Sequence, residues 1–192
     1  WRNIMKLFFD TEFTGLHKRT SLISIGIVAE NGKRFYAEFS TYKENQCDDW
    51  IRENVLKHTI LAGNDTLAAR LGDDSNTTVV LGSKADIRYE LGEWLKQFDE
   101  VQFVSDVFHY DMVLLIDIFG IAFGLPKNVS AACHDINQDI ARHYGISDRE
   151  AFDKSREDIV SELCGRQIEG EKHNALYDAE VIKAIYTEIC GA

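Results

Sequence analysis

The run LFFDTEFTGL, residues 7 to 16, is apolar until it sets Asp10 and Glu12 two residues apart, just ahead of a glycine. Side chains alternate along a strand, so acids at this spacing project from one face. Taken alone, the pair reads as solvated acids beyond a strand that stops at Phe9. The same misplacement recurs twice. Asp178 stands four residues before Ile182 and seven before Ile185, on the apolar stripe of a helix running from about Asn174 to Cys190. Asp111 stands three, four and seven residues before Leu114, Leu115 and Ile118, again in line with core positions. Each has a local role open to it: a first-turn acid suits the helix dipole, and Asp111 could cap its own helix. Ionised carboxylates turned toward a core are costly without compensating charge. Nearby Lys and Arg supply too little of it. A divalent metal cage accounts for all of them, and all-oxygen ligands favour Mg²⁺ or Mn²⁺ over zinc.

The elements that would position these acids follow from periodicity. Residues 4 to 10, about 21 to 30 and about 33 to 41 read as strands, the last two flanking the hairpin signal Asn31-Gly32. Apolar residues on both faces of the first make it a central strand. CDDWIRENVLKH reads as a short helix, and residues 62 to 82, rich in Gly, Asp, Asn and Thr, as a long connection. A helix starts at the Ser83 cap, VQFVS (101 to 105) is a short strand, and YDMVLLIDIFG a helix ending at Gly120. INQDIARHYG and SDREAFDKSREDIVSELCG each read as one helix, the second opened by a Ser147–Glu150 capping box. Strands first, then helices alternating with short strands, predict an α/β fold with a mixed central sheet flanked by helices. No repeat or boundary divides residues 1 to 192, which read as one domain; Met5 reads as the natural start and residues 1 to 4 as an expression remnant.

With 192 residues, 45% hydrophobic and 28% charged, and a single proline, the chain can bury a sizeable core. No apolar run approaches the ~20 residues of a membrane helix, so no membrane partner is expected. Cys47, Cys133, Cys164 and Cys190 form no CxxC pair and read as reduced thiols of a cytoplasmic protein. A net charge of −11 argues against a broad basic grip on nucleic acid. An acidic pocket that recruits cations, which then attract phosphate, remains open.

FFDTEFTGL, FHYDMVLL and HNALYDAEVI resemble, in that order, the three motifs of the DEDDh 3′–5′ exonucleases, the RNase T and oligoribonuclease superfamily with a ribonuclease H-like fold. The motifs span residues 7 to 182, and the first stretch is most similar to small bacterial and phage exoribonucleases. The resemblance implies Asp10, Glu12, Asp111 and Asp178 as ligands of two Mg²⁺ or Mn²⁺ ions, with Asp10 bridging them. It implies His173, on the loop before the last helix, as the general base. Thr14, Gly15 and Leu16 would contact the terminal nucleotide. The motif usually has Asn ahead of its second Asp, where this chain has DVFHYD; that leaves Asp111 as the ligand and Asp106, otherwise read like Asp117 as a capping or surface acid, as a second candidate. Trp50 and Trp94 read as core. His17, Lys18 and Arg19 read as a solvated loop able to steer phosphate.

The expectation is a metal-dependent 3′–5′ exoribonuclease that releases nucleoside 5′-monophosphates from single-stranded RNA or 3′ overhangs, as a possible homodimer. A DNA exonuclease acting on DNA 3′ ends and a phosphodiesterase of short oligonucleotides share the same motifs. A non-catalytic nucleic-acid-binding module would have lost at least one of the five residues, and all five are present.

Overall fold

The structure, a computed structural model, describes residues 4–191. Of residues 1 to 4, read as a remnant, the first three lie outside them. The strands are β1 (Met5–Phe13), β2 (Leu22–Ala29), β3 (Arg34–Phe39), β4 (Thr77–Gly82), β5 (Val101–Ser105) and β6 (His134–Asp135). The helices are α1 (Asp49–Asn54), α2 (Asp65–Gly72), α3 (Lys84–Leu95), α4 (Phe108–Ile118), α5 (Ile136–Tyr144), α6 (Asp148–Asp153), α7 (Arg156–Cys164) and α8 (Ala175–Cys190). The sheet order is β4-β3-β2-β1-β5-β6. β1–β2 and β2–β3 are antiparallel and the other pairs parallel, which is the expected mixed sheet. Among the described residues no helix is long and apolar enough to cross a membrane.

β1 is covered on both faces. Leu7 and Phe9 pack with Ile87, Leu91 and Leu115 of α3 and α4, while Phe8 packs with Ile140, Ile159 and Ile182 of α5, α7 and α8. Glu38 on β3 is a buried carboxylate of another kind: it accepts from the Tyr36 hydroxyl at 2.6 Å and the Ile60 and Leu61 N–H groups at 2.6 and 2.8 Å. Its charge is met by hydrogen bonds, and it pins the 59–61 segment to the sheet.

Two segments differ from the sequence reading. Residues 62 to 82 are not a long connection. Asn64 caps α2 by accepting from the Leu67 N–H at 3.0 Å, and Leu67 and Leu71 bury against Val28, Tyr36 and Leu176. The β-branched run Thr77–Val80 then completes β4 at the sheet edge, where half-buried residues suffice. Residues 147 to 165 form two helices because Ser155 restarts the chain with its own cap, accepting from the Asp158 N–H at 3.2 Å. The two-residue β6 was missed for want of length.

The turn into β4 is held by Asp74, which accepts from the Thr77 hydroxyl, the Asn76 N–H at 3.0 Å and the Arg34 guanidinium. These donors, Thr77 first, lower its carboxyl to about 2. An unfolded Asp titrates near 3.9, so this contribution is whole above about pH 4 and lost as pH falls toward 2. Asp74→Asn should therefore lower the melting temperature at pH 7, with the gap to wild type closing in melts taken down to pH 2.

Gly26 of β2, the register partner of Asp10, lies directly under the start of α8. A Cβ there would sit 2.3 Å from the Ala175 carbonyl carbon and the Leu176 nitrogen. Only a glycine lets the helix begin this close to β2, beside Asp10 on the neighbouring strand. Gly26→Ala should cost about 3 kcal/mol, read as a lowered melting temperature. Nuclease activity should fall even where the variant is still folded, because α8 carries Asp178.

Candidate metal centre

β1 pairs with β5 only as far as Phe8↔Val104, but with β2 as far as Phe13↔Leu22, with a register shift after Glu12. The strand therefore does not stop at Phe9; it runs on past the end of β5, and a pocket of about 610 Å³ opens there. Asp10, Glu12, Asp106, Asp111 and Asp178 all line it. The first turn of α8, seated on Gly26, brings in Asp178, and the first turn of α4 brings in Asp111.

Carboxylate oxygens of Asp10, Glu12 and Asp178 lie within 4.8 Å of one another, and so do those of Asp10, Asp106 and Asp111. Asp10 belongs to both groups. Burial raises the Asp10 carboxyl well above its usual range, reinforced by Asp111, Asp178 and Glu12. Burial and then Asp178 and Asp111 do the same to Glu12. Asp178 is raised by burial and Asp106 against a backbone hydrogen bond from His173. Asp111 is pushed up to about 7 by burial, opposed by hydrogen bonds from Ser105 and Thr11. Two groups of hard oxygen donors that share one residue, with Arg156 on Asp106 as the one Lys or Arg ion pair their members form among the described residues, are what a pair of divalent cations requires. The residues present fit such ions.

Asp111 is a buried member of the fourth helical position, with Val107 as the N-cap, so it does not cap its own helix. Thr11, the residue between the two acids of β1, donates to Asp111 Oδ1 at 2.6 Å, and Ser105 donates to Oδ2. Neither clamp was singled out in the sequence; alternation along β1, which turns Thr11 to the opposite face from Asp10 and Glu12, was the available signal. The reading of Asp106 as a capping or surface acid is corrected. It is half-buried within the second ligand group and pairs with Arg156 Nε at 2.9 Å, and the same guanidinium donates to Asn137. Asp117 is exposed and pairs with Lys84, as a surface acid should.

His173 sits just before the α8 cap, where Asn174 accepts from the Tyr177 N–H at 3.2 Å. Its φ of 64° makes it the one non-glycine residue with positive φ among those described. That conformation costs roughly 1–2 kcal/mol. The imidazole is turned into the pocket, with Nδ1 3.9 Å from Glu12 Oε1 and the ring edge-on to Trp50 at 5.0 Å. Burial, then Lys172 and His58, lower its pKa against the pull of Glu157. The shift favours the neutral ring, the form that can accept a proton.

Trp94 is core, as expected, but Trp50 is not: it is 53% exposed and lines the pocket. Its helix α1 is short and buries Ile51, leaving the indole on the pocket side. Leu16, 76% exposed, and Gly15 line the same pocket. The Thr14 side chain is turned away from it. The Thr14 hydroxyl donates to Gln46 at 2.7 Å and accepts from the Ser21 N–H at 3.0 Å, so this side chain braces the loop.

Comparison with known proteins identifies the family and the fold. A 3′–5′ exoribonuclease named Rv2179c from Mycobacterium tuberculosis H37Rv is 28% identical over 136 residues, 70% of this chain and 73% of that protein. The nuclease domain of 3′hExo, a DEDDh family member solved bound to rAMP, superposes with a TM-score of 0.67 at 12% identity, over 97% of this chain and 92% of the other. The Neurospora crassa Pan2 catalytic unit gives 0.54 at 17% identity, over 96% of this chain and 26% of that one. The fold is the ribonuclease H-like fold of the DEDDh nucleases, enzymes that use divalent metal ions. Residues 5–190 match the 3′–5′ exoribonuclease Rv2179c-like domain, and the chain belongs to that family of nucleic-acid hydrolases.

Proposed function

We propose that the chain shortens single-stranded RNA from its 3′ end by hydrolysis with two Mg²⁺ or Mn²⁺ ions, releasing nucleoside 5′-monophosphates. The observation that carries the reading is the pair of carboxylate groups sharing Asp10, with the His173 ring beside Glu12. Asp10, Glu12 and Asp178 would hold one ion, and Asp10, Asp111 and Asp106 the other. When bound, the two ions supply Lewis acidity to the attacking water and offset charge on the phosphoryl and departing 3′ oxygens. His173 accepts the proton of that water on Nε2, the ring nitrogen not turned toward Glu12. Water forms the new bond to phosphorus as the bond to the 3′ oxygen breaks; the departing 3′ oxygen takes a proton from solvent, and the shortened strand leaves with a 3′ hydroxyl. Leu16 and Trp50, exposed apolar side chains on the same pocket, hold the terminal base, and Gly15 allows the backbone to approach the sugar.

The test is a 5′-labelled single-stranded RNA and its DNA counterpart, each incubated with Mg²⁺ or Mn²⁺ and with EDTA. The RNA should give a ladder shortening from the 3′ end, abolished by EDTA, and the DNA a slower one. A ladder on neither polymer contradicts the reading, and an equal rate on both removes the RNA preference. Family likeness adds a homodimer to the proposal; sedimentation showing only monomer at working concentration would remove it.

A further inference from the structure

Beyond the acid pocket lies a second cleft, of about 760 Å³. The two are divided by a pair of aromatic rings: Phe13 lines the acid pocket, Tyr110 lines the cleft, and the rings stack at 5.2 Å with planes 13° apart. The chain itself passes from one to the other, since Gly15 and Leu16 border the pocket while Lys18 and Arg19 border the cleft. Lys43 and Lys84 add to its basic lining against a single carboxylate, Asp117. Asp117 is taken up by Lys84. Lys18, Arg19 and Lys43 form no ion pair among the described residues. In a chain of net charge −11 this is a local reversal of sign.

The basic loop is anchored. The Arg19 carbonyl accepts from Lys43 Nζ at 3.3 Å and Gln46 Nε2 at 3.1 Å, and Thr14 braces its start. Across the acid pocket the cations are engaged: Arg156 with Asp106, Lys172 with Glu157, and Lys154 over the Tyr144 ring at 4.7 Å. Uncommitted positive charge is therefore on the side of the Phe13–Tyr110 ridge.

We infer that this cleft binds the phosphodiester backbone of the RNA upstream of its terminal nucleotide, so that the 3′ end crosses the Phe13–Tyr110 ridge into the acid pocket. This rests on the exoribonuclease reading. Cations tracking phosphates beside an aromatic ridge are the usual means of holding a single strand without reading its sequence. A dinucleotide fills the acid pocket and ends before the cleft; a longer strand gains the cleft contacts as well.

The test combines Lys18→Ala, Arg19→Ala and Lys43→Ala and compares KM on a dinucleotide and on an RNA of about 12 nucleotides. Wild type should bind the longer RNA with the lower KM. In the triple variant that KM should rise about tenfold at low salt, and the slope of log KM against log salt should flatten by about 2, the loss of three phosphate contacts. Dinucleotide hydrolysis should change little. Lys18→Glu, a single change at an exposed position, should shift the long-RNA KM in the same direction if the triple variant folds poorly. An unchanged long-RNA KM in variants that still cleave the dinucleotide overturns the cleft assignment and leaves the exoribonuclease reading standing. A wild-type KM independent of length overturns it too. A wild type that degrades neither substrate overturns the exoribonuclease reading and the inference together.

Discussion

Asp10→Asn is expected to cut exonuclease turnover by about 10³-fold or more and, in the absence of metal, to raise the melting temperature. The two effects have one origin. Asp10 is common to both carboxylate groups, so neutralising it weakens both ion sites at once. Losing several kcal/mol of charge stabilisation in the transition state is a loss of this size. Without metal, the same carboxylate is a liability, because burial and Asp111, Asp178 and Glu12 disfavour its charge. An amide of the same shape removes the conflict. About 1 kcal/mol recovered would raise the melting temperature by about 2–4 °C in a chain of this size.

The pH dependence of the metal-free protein follows with a definite sign. Asp111 titrates at about 7 in the fold and near 3.9 when unfolded. Between those values the native state holds more protons than the unfolded chain, so stability falls as pH rises from about 4 to about 7. Melts with EDTA should show this decline, and added Mg²⁺ or Mn²⁺ should reverse it at pH 7 in wild type far more than in Asp10→Asn. Wild-type turnover in Asp10→Asn, or a metal-free melting temperature below that of wild type, would contradict the account.

His173→Ala is expected to lower kcat by about 10²- to 10⁴-fold, the range for loss of a general base, with metal affinity and KM for RNA little changed. The carboxylates that hold the ions remain, so metal-induced stabilisation should persist. Because burial and Lys172 lower the His173 pKa, the imidazole stays neutral to a lower pH than an exposed histidine. The acid limb of the wild-type kcat/KM profile should accordingly fall below the ordinary imidazole range, and vanish in the variant's residual activity. His173→Gly separates backbone from side chain: it removes the penalty of the positive φ and should be the more stable variant, yet equally slow. If either variant kept near-wild-type kcat, His173 would not be the base.

The acids were legible in the sequence because they interrupt patterns that are otherwise apolar. Asp178 and Asp111 fall on helical stripes, and Asp10 and Glu12 fall on one face of a strand buried on both sides. What remained hidden depends on partners far away in the chain. Asp106 looks like a surface acid until Arg156 of α7 pairs with it, fifty residues on. Trp50 has the composition of a core residue, and only the brevity of α1 leaves it on the pocket. Thr14 lies within a motif associated with substrate, but its hydroxyl is committed to Gln46 and Ser21. The strand β4 was lost in a polar stretch because an edge strand needs no continuous apolar run. The break between α6 and α7 is set by one capping serine inside a charged helical sequence.

The most direct test of the central claim is the anomalous difference density of a crystal of the wild-type protein soaked in Mn²⁺. Two peaks about 3.5–4 Å apart, both against Asp10, with one beside Glu12 and Asp178 and the other beside Asp111, is the predicted result. Density for no ion, or for ions lying away from Asp10, would contradict it.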